Sequence, residues 1–199
     1  MDNMDSKRRF LLAAGAMAST FPLRAQPAGT SVRKGTGLLT VSGAIGPGNR
    51  GPLHPTLDQL MLKHGVKFER ALEFDAAMLA RLPGVTIQPT LEYDAMPHRL
   101  SGPTLAAVLE AAGVARDAPV TLTLRALDGY TVALSLADAR TYRMIVATAI
   151  DGVPLSLGGL GPQWAVYDAD RLPAFKDKPL KERFGLCPWG LYHIDVKTL

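Results

Sequence analysis

The sequence predicts an α+β fold: a mixed β-sheet domain with short helices. Three observations carry that expectation. Short apolar and β-branched runs are separated by turn-forming pairs, Asp128-Gly129, Asp151-Gly152 and Gly161-Pro162. Helical spacing is confined to brief stretches, such as Leu105, Val108, Leu109 and Ala112 at i, i+3, i+4 and i+7. Nineteen glycines and fifteen prolines in 199 residues interrupt the chain too often for a helical bundle.

The elements are expected in this order. Leu38–Ser42 reads as a first strand ended by Gly43, and residues 44–56, rich in Pro and Gly, as a loop. Leu57–His64 suits a short helix stopped by Gly65; Val66–Phe74 fits either state. Asp75 is a natural N-cap for a helix over Ala76–Leu82, with Met78, Leu79 and Leu82 on one face and Pro83-Gly84 as its stop. Val85–Leu91 alternates and predicts a strand. Gly102-Pro103 is expected to open the clearest helix, because a proline in the first turn lacks only an N–H that would go unpaired there, and Gly113 is expected to end it. Val120–Leu127 and Thr131–Leu136 flank Asp128-Gly129 and predict a hairpin. Asp138 is expected to cap Ala139–Arg143. Met144–Ile150 is apolar almost throughout and predicts one buried strand, followed by a turn at Asp151-Gly152. Trp164–Tyr167 and Leu191–Val196 complete the strands.

Composition fits one domain with a real core: 47% hydrophobic and 20% charged residues. The N-terminus reads separately. Lys7-Arg8-Arg9 precedes an apolar run over Phe10–Phe21, which is too short to span a bilayer, and Ala25 is a small residue suited to signal cleavage. Residues 1–25 are thus expected to be an export signal to the periplasm. Ser6–Leu11 resembles a twin-arginine signal with Lys7 in place of one arginine. Residues 26–36 form a polar leader and residues 37–199 the domain. Without residues 1–25 the chain keeps 18 basic and 16 acidic side chains, a net charge of +2. No basic run remains in the body, which speaks against nucleic-acid binding, and no later segment is long and apolar enough to span a membrane. The single cysteine, Cys187, excludes an internal disulfide.

Ser101-Gly102-Pro103, Ala126–Tyr130 (ALDGY), Asp138, Asp151–Leu155 (DGVPL) and Gly161-Pro162 together resemble the oxidoreductase molybdopterin-binding domain. This is the central fold of sulfite oxidases and assimilatory nitrate reductases, and the likeness covers roughly residues 36–197. It is closest to short, exported, stand-alone versions. The resemblance implies a sulfite-oxidase-like fold and a pterin-bound molybdenum centre in a molybdopterin-dependent oxidoreductase. Catalytic members of that family ligate the metal with a cysteine thiolate, a soft donor suited to it. The matching region here, TIQPTLEYDAMPHRLSGP, has none. The family's later HGxPxR element matches Leu160–Trp164, where neither the histidine nor the arginine is present.

The resemblance places a pocket between the 92–103 loop, Asp128, Tyr130 and the 157–164 loop. His98, Arg99, Ser101, Asp128, Tyr130, Gly161, Gln163 and Trp164 are its candidate cofactor-binding residues. Arg99 offers a planar fork and His98 a titratable donor for a small anionic ligand. Each candidate also has a plainer reading. His98-Arg99 suits a solvated loop, Asp128 and Asp151 suit turns, and Tyr130 and Trp164 suit the core. Cys187 reads as a small buried residue against Trp189, or as a displaced metal ligand or redox thiol. The four histidines show no metal-ligand spacing, and no catalytic residue is assigned. Two functions stay open. One is a molybdopterin-binding oxidoreductase domain. The other is a non-catalytic periplasmic domain that senses a ligand or contacts a protein partner.

Overall fold

A computed structural model describes residues 35–199. The proposed signal and residues 26–34 of the leader lie outside the described residues.

The architecture rests on a five-stranded sheet of Ala71–Phe74, Leu39–Gly43, Leu191–Thr198, Val120–Ala126 and Thr131–Ser135, in that order. β1 (Leu39–Gly43) runs parallel to β11 (Leu191–Thr198), and the pairs β1–β2 (Ala71–Phe74), β11–β5 (Val120–Ala126) and β5–β6 (Thr131–Ser135) are antiparallel. The last strand thus sits at the centre of the sheet. In β5 the alternation seen in the sequence becomes burial: Val120, Leu122, Leu124 and Ala126 face the core, and Thr121, Thr123 and Arg125 face the other way. β1 is buried on both faces, because residues 44–70 fold back over its second side. That covering segment carries α1 (Gln59–Lys63) and packs Met61 and Val66 against Tyr192. It explains why Thr40, Ser42 and His193 are buried although they point away from the main core.

α2 (Ala76–Ala80) is capped as expected, with an Asp75 carboxylate oxygen accepting from the Met78 N–H at 2.8 Å. The strand expected over Val85–Leu91 is shorter: β3 spans Gly84–Ile87. Gly102-Pro103 does not open a helix. It ends β4 (Leu100–Pro103), which pairs with β3, and α3 (Leu105–Ala111) starts from Thr104, whose hydroxyl accepts from the Ala107 N–H. A proline at a strand end costs no more than one at a helix start, so Pro103 alone does not separate the two. Gly102 is needed there for space. A Cβ on it would come within 2.0 Å of the Val146 carbonyl oxygen. α4 (Leu136–Thr141) is capped by Ser135, whose hydroxyl accepts from the Asp138 N–H; Asp138 is inside the helix rather than its cap.

The strand expected over Met144–Ile150 is two. β7 (Ile145–Ala147) is fully buried and pairs with β10 (Trp164–Val166). β8 (Ala149–Ile150) turns away to join β4 and β9 (Val153–Pro154) in a second sheet, order β3-β4-β8-β9. The turns divide by type. Leu127–Gly129 forms a three-residue hairpin loop in which only Gly129 has positive φ, whereas Asp151 (φ 49°) and Gly152 (φ 84°) both do, as a tight two-residue hairpin requires.

Residues 168–190 have little regular structure, yet they are fixed by aromatic packing. Tyr167 stacks on Phe175 at 4.5 Å, Tyr142 meets Phe175 edge-on at 5.1 Å, and Phe184 lies 6.2 Å from Trp164. Such pairs add about 0.5–1.5 kcal/mol each beyond area burial. They hold the 180–189 segment against β10, where it forms one wall of the site described next.

Candidate functional site

A cleft of ≈ 310 Å³ opens between three segments. The 88–99 loop supplies Glu92 and Tyr93, the β5–β6 hairpin supplies Asp128 and Tyr130, and the segment before β11 supplies Lys181, Phe184, Gly185, Cys187 and Trp189. Each wall is locally fixed. The 88–99 loop closes on itself through the Leu91 N–H to the Met96 carbonyl (2.9 Å) and the His98 N–H to the Pro89 carbonyl (3.1 Å). The Thr90 N–H ties it to Asp170 at 2.7 Å. In the hairpin, an Asp128 oxygen accepts from the Tyr130 N–H at 2.8 Å. The Tyr130 hydroxyl then donates across the cleft to the Gly185 carbonyl at 2.7 Å.

Cys187 lies at the cleft floor and is 4% exposed. Its carbonyl accepts from the Trp164 indole N–H at 2.9 Å. Burial pushes its thiol up to about 12, and the nearby Glu92 carboxylate adds to the shift while Tyr167 opposes it. A thiol so held stays protonated at neutral pH and is inert as a nucleophile. Tyr93, though more than half exposed, is also pushed up to about 12, by partial burial first and by the adjacent Glu92 carboxylate second.

The structure separates the eight residues that the sequence grouped. Asp128 and Tyr130 line the cleft. His98 and Arg99 do not. His98 is clamped between two carboxylates outside the cleft, Nδ1 at 2.6 Å from Asp151 and Nε2 at 2.8 Å from Asp94. Both ring nitrogens can donate only in the imidazolium, so the two carboxylates raise its pKa, while each carboxylate is lowered in turn. Arg99 is exposed, and its backbone N–H donates to Asp151. Ser101 is a β4 residue whose carbonyl accepts from the Thr148 N–H at 2.8 Å. Gly161 packs where a Cβ would lie 2.6 Å from the Leu155 carbonyl oxygen. Gln163 and Trp164 are each 1% exposed. With its amide nitrogen turned toward the two carbonyls, Gln163 donates to Leu38 (3.2 Å) and Leu191 (3.0 Å). It therefore joins the start of β1 to β11.

The 157–164 loop belongs to a second, more apolar cleft of ≈ 430 Å³, with Leu157 and Pro162 facing Leu57, Leu60 and Leu127. Of the cleft wall over residues 181–189, sequence reasoning weighed Cys187 beside Trp189 and missed Lys181, Phe184 and Gly185. The wall's signal was present: Phe184 and Trp189 flank a Pro-Gly-interrupted run just before the final strand.

No protein-family model matches the chain, and no curated protein matches it significantly. Among solved structures the chain is similar to the crystal structure of the sulfane dehydrogenase SoxCD from Paracoccus pantotrophus, with a TM-score of 0.52 at 12% identity. The match covers 81% of this chain and 38% of that one, so this chain spans well under half of SoxCD. At that identity the likeness speaks for the fold. The α+β architecture read from the sequence is the architecture found, and a dehydrogenase shares it.

A molybdenum–pterin centre of the kind the sequence resemblance implies needs a presented thiolate and a cation for the pterin's anionic group. The chain's one thiol is sealed in the cleft floor. The positions matching the family's arginine element hold Gln163 and Trp164, both spent on internal hydrogen bonds. The residues present do not fit the group.

Proposed function

We propose that this domain binds a small molecule in the Glu92–Asp128–Trp189 cleft and carries out no molybdenum chemistry: a non-catalytic ligand-binding domain on a dehydrogenase-like fold. The observation that carries the reading is the burial of Cys187, 4% exposed at the cleft floor and with its thiol pKa pushed up by that burial, where a metal ligand would be presented. We further propose that it works in the periplasm. Lys7-Arg8-Arg9 and the apolar run after it support export. No helix among the described residues is long and apolar enough to cross a membrane.

The likeness to a sulfane dehydrogenase favours a second reading, an oxidoreductase that holds the cofactor by other residues. Metal and pterin analysis separates the two. The full chain is produced in a host that makes the molybdenum cofactor and exports the protein, then assayed for molybdenum by mass spectrometry and for pterin by fluorescence after oxidation. Background molybdenum and no pterin are expected. Stoichiometric molybdenum with pterin overturns the proposal in favour of the enzyme.

A further inference from the structure

The cleft gathers a type of surface that the rest of the described chain avoids. Tyr93, Tyr130 and Trp189 are 55%, 49% and 38% exposed, and they are the three exposed aromatic side chains among the described residues. All three line this one cleft. Exposed aromatic faces cost hydration free energy without return unless something covers them, and their convergence on one concavity marks a ligand surface.

The charges in the cleft select the ligand's sign. Glu92 is half-buried and Asp128 stands at the hairpin tip, fixed by the Tyr130 N–H. The one basic lining residue, Lys181, is exposed on a short 3₁₀ turn, and its long stem lets the ammonium swing out to water. Aromatic rings present a negative face, and two carboxylates beside them deepen that potential. Arg99, which would favour an anion, lies outside the cleft.

We propose that this cleft binds an organic cation, a methylated or quaternary ammonium compound, caged by Tyr93, Tyr130 and Trp189 and countered by Glu92 and Asp128. The proposal rests on the ligand-binding reading above and names its ligand class. Tyr130 serves twice, since its hydroxyl bond to Gly185 holds the hairpin against the opposite wall and sets the cage width.

The test is calorimetric titration of the full chain with choline and with 3,3-dimethylbutan-1-ol, its uncharged counterpart of the same shape. D-glucose and sulfate serve as neutral and anionic probes. Choline should bind about tenfold more tightly than the alcohol, the margin expected of a desolvated cation–π contact. Tyr93→Leu, at a side chain more than half exposed, and Glu92→Gln should each weaken choline binding several-fold while leaving the thermal midpoint in place. Tyr130→Phe keeps the ring and loses only the Gly185 bond, so it should weaken binding less than Tyr130→Leu. Equal binding of choline and the alcohol, preference for glucose or sulfate, or no choline binding overturns the cation proposal. Glucose or sulfate binding without molybdenum would leave the ligand-binding reading standing; molybdenum and pterin in the purified protein would remove that reading.

Discussion

His193 should make this fold acid-labile. The ring is 2% exposed, Nε2 lies 2.9 Å from the Ser42 hydroxyl, and Nδ1 has no partner. Phe68 stacks over it at 6.3 Å. Burial lowers its pKa to about 4, and the charges of Arg125 and Arg50 push it the same way. The folded state therefore holds a neutral imidazole at a pH where the unfolded chain binds a proton. A group whose folded pKa is depressed contributes stability above its unfolded value, and that contribution is lost as pH falls. Here the loss starts near pH 6.5 and is complete near 4. The gap between those two values corresponds to roughly 3 kcal/mol. Urea denaturation of the wild type and of His193→Leu, each followed by far-ultraviolet circular dichroism at pH 7.5 and pH 4.5, isolates this group because the carboxylates titrate in both proteins. Because pH 4.5 stops short of the full transition, the wild type should lose about 2.5 kcal/mol more than the variant between the two conditions. Parallel losses in the two proteins would refute the reasoning and would mean that His193 reaches water or a counter-charge in solution.

Gly102→Ala places a methyl 2.0 Å from the Val146 carbonyl oxygen, a backbone atom that cannot swing aside. It should cost about 3 kcal/mol in a urea titration, and a loss within error of zero would show that β4 and β7 are not in close contact. Trp164→Phe removes the donor to the Cys187 carbonyl and should cost about 1–3 kcal/mol by the same measurement. For the His98 clamp the sign differs from that of His193. His98 is raised by its two carboxylates, so its contribution is full below the ordinary imidazole value and is lost as pH rises through the raised one. Asp94 and Asp151 are lowered, so theirs is present above the ordinary carboxylate value and lost as pH falls through the lowered one. The clamp is tightest between roughly pH 4 and 6.5. An NMR titration of the His98 ring should give a raised midpoint that falls in Asp151→Asn; an unchanged midpoint in the variant would remove Asp151 from the clamp.

How much of this was legible in the sequence depended on whether the signal was local. The β5–β6 hairpin was readable because alternation and Asp128-Gly129 are both local and agree. Asp75 as a cap was readable for the same reason. β4 was not. Leu100–Pro103 is four residues whose strand character comes from partners far away in sequence, β3 and β8, and Pro103 pointed equally to a helix start. The run Met144–Ile150 looked like one strand because apolarity reports burial and not which sheet a residue joins. The change of partner between Ala147 and Ala149 is tertiary. The site divides in the same way. Asp128 and Tyr130, named through the ALDGY resemblance, sit in the local hairpin and line the cleft. Gln163 and Trp164 also sat in a motif, but their side chains turn inward to bond backbone groups. Of the 181–189 wall the sequence singles out Cys187, beside Trp189, and not the wall as such, because its residues repeat no period and aromatic contacts with Tyr167 and Trp164 hold it in place.

The non-catalytic reading of the cleft depends on Cys187 being a sealed thiol. The rate of Cys187 alkylation by iodoacetamide in metal-free protein, measured across pH 6–10 in native buffer and in urea, tests this directly. A thiol 4% exposed and held near 12 should stay essentially unmodified in the native protein over that range and react readily once unfolded. Rapid native alkylation with a midpoint near or below neutral pH would show a thiolate presented to the cleft, and with it a metal-ligating or redox role that this account denies.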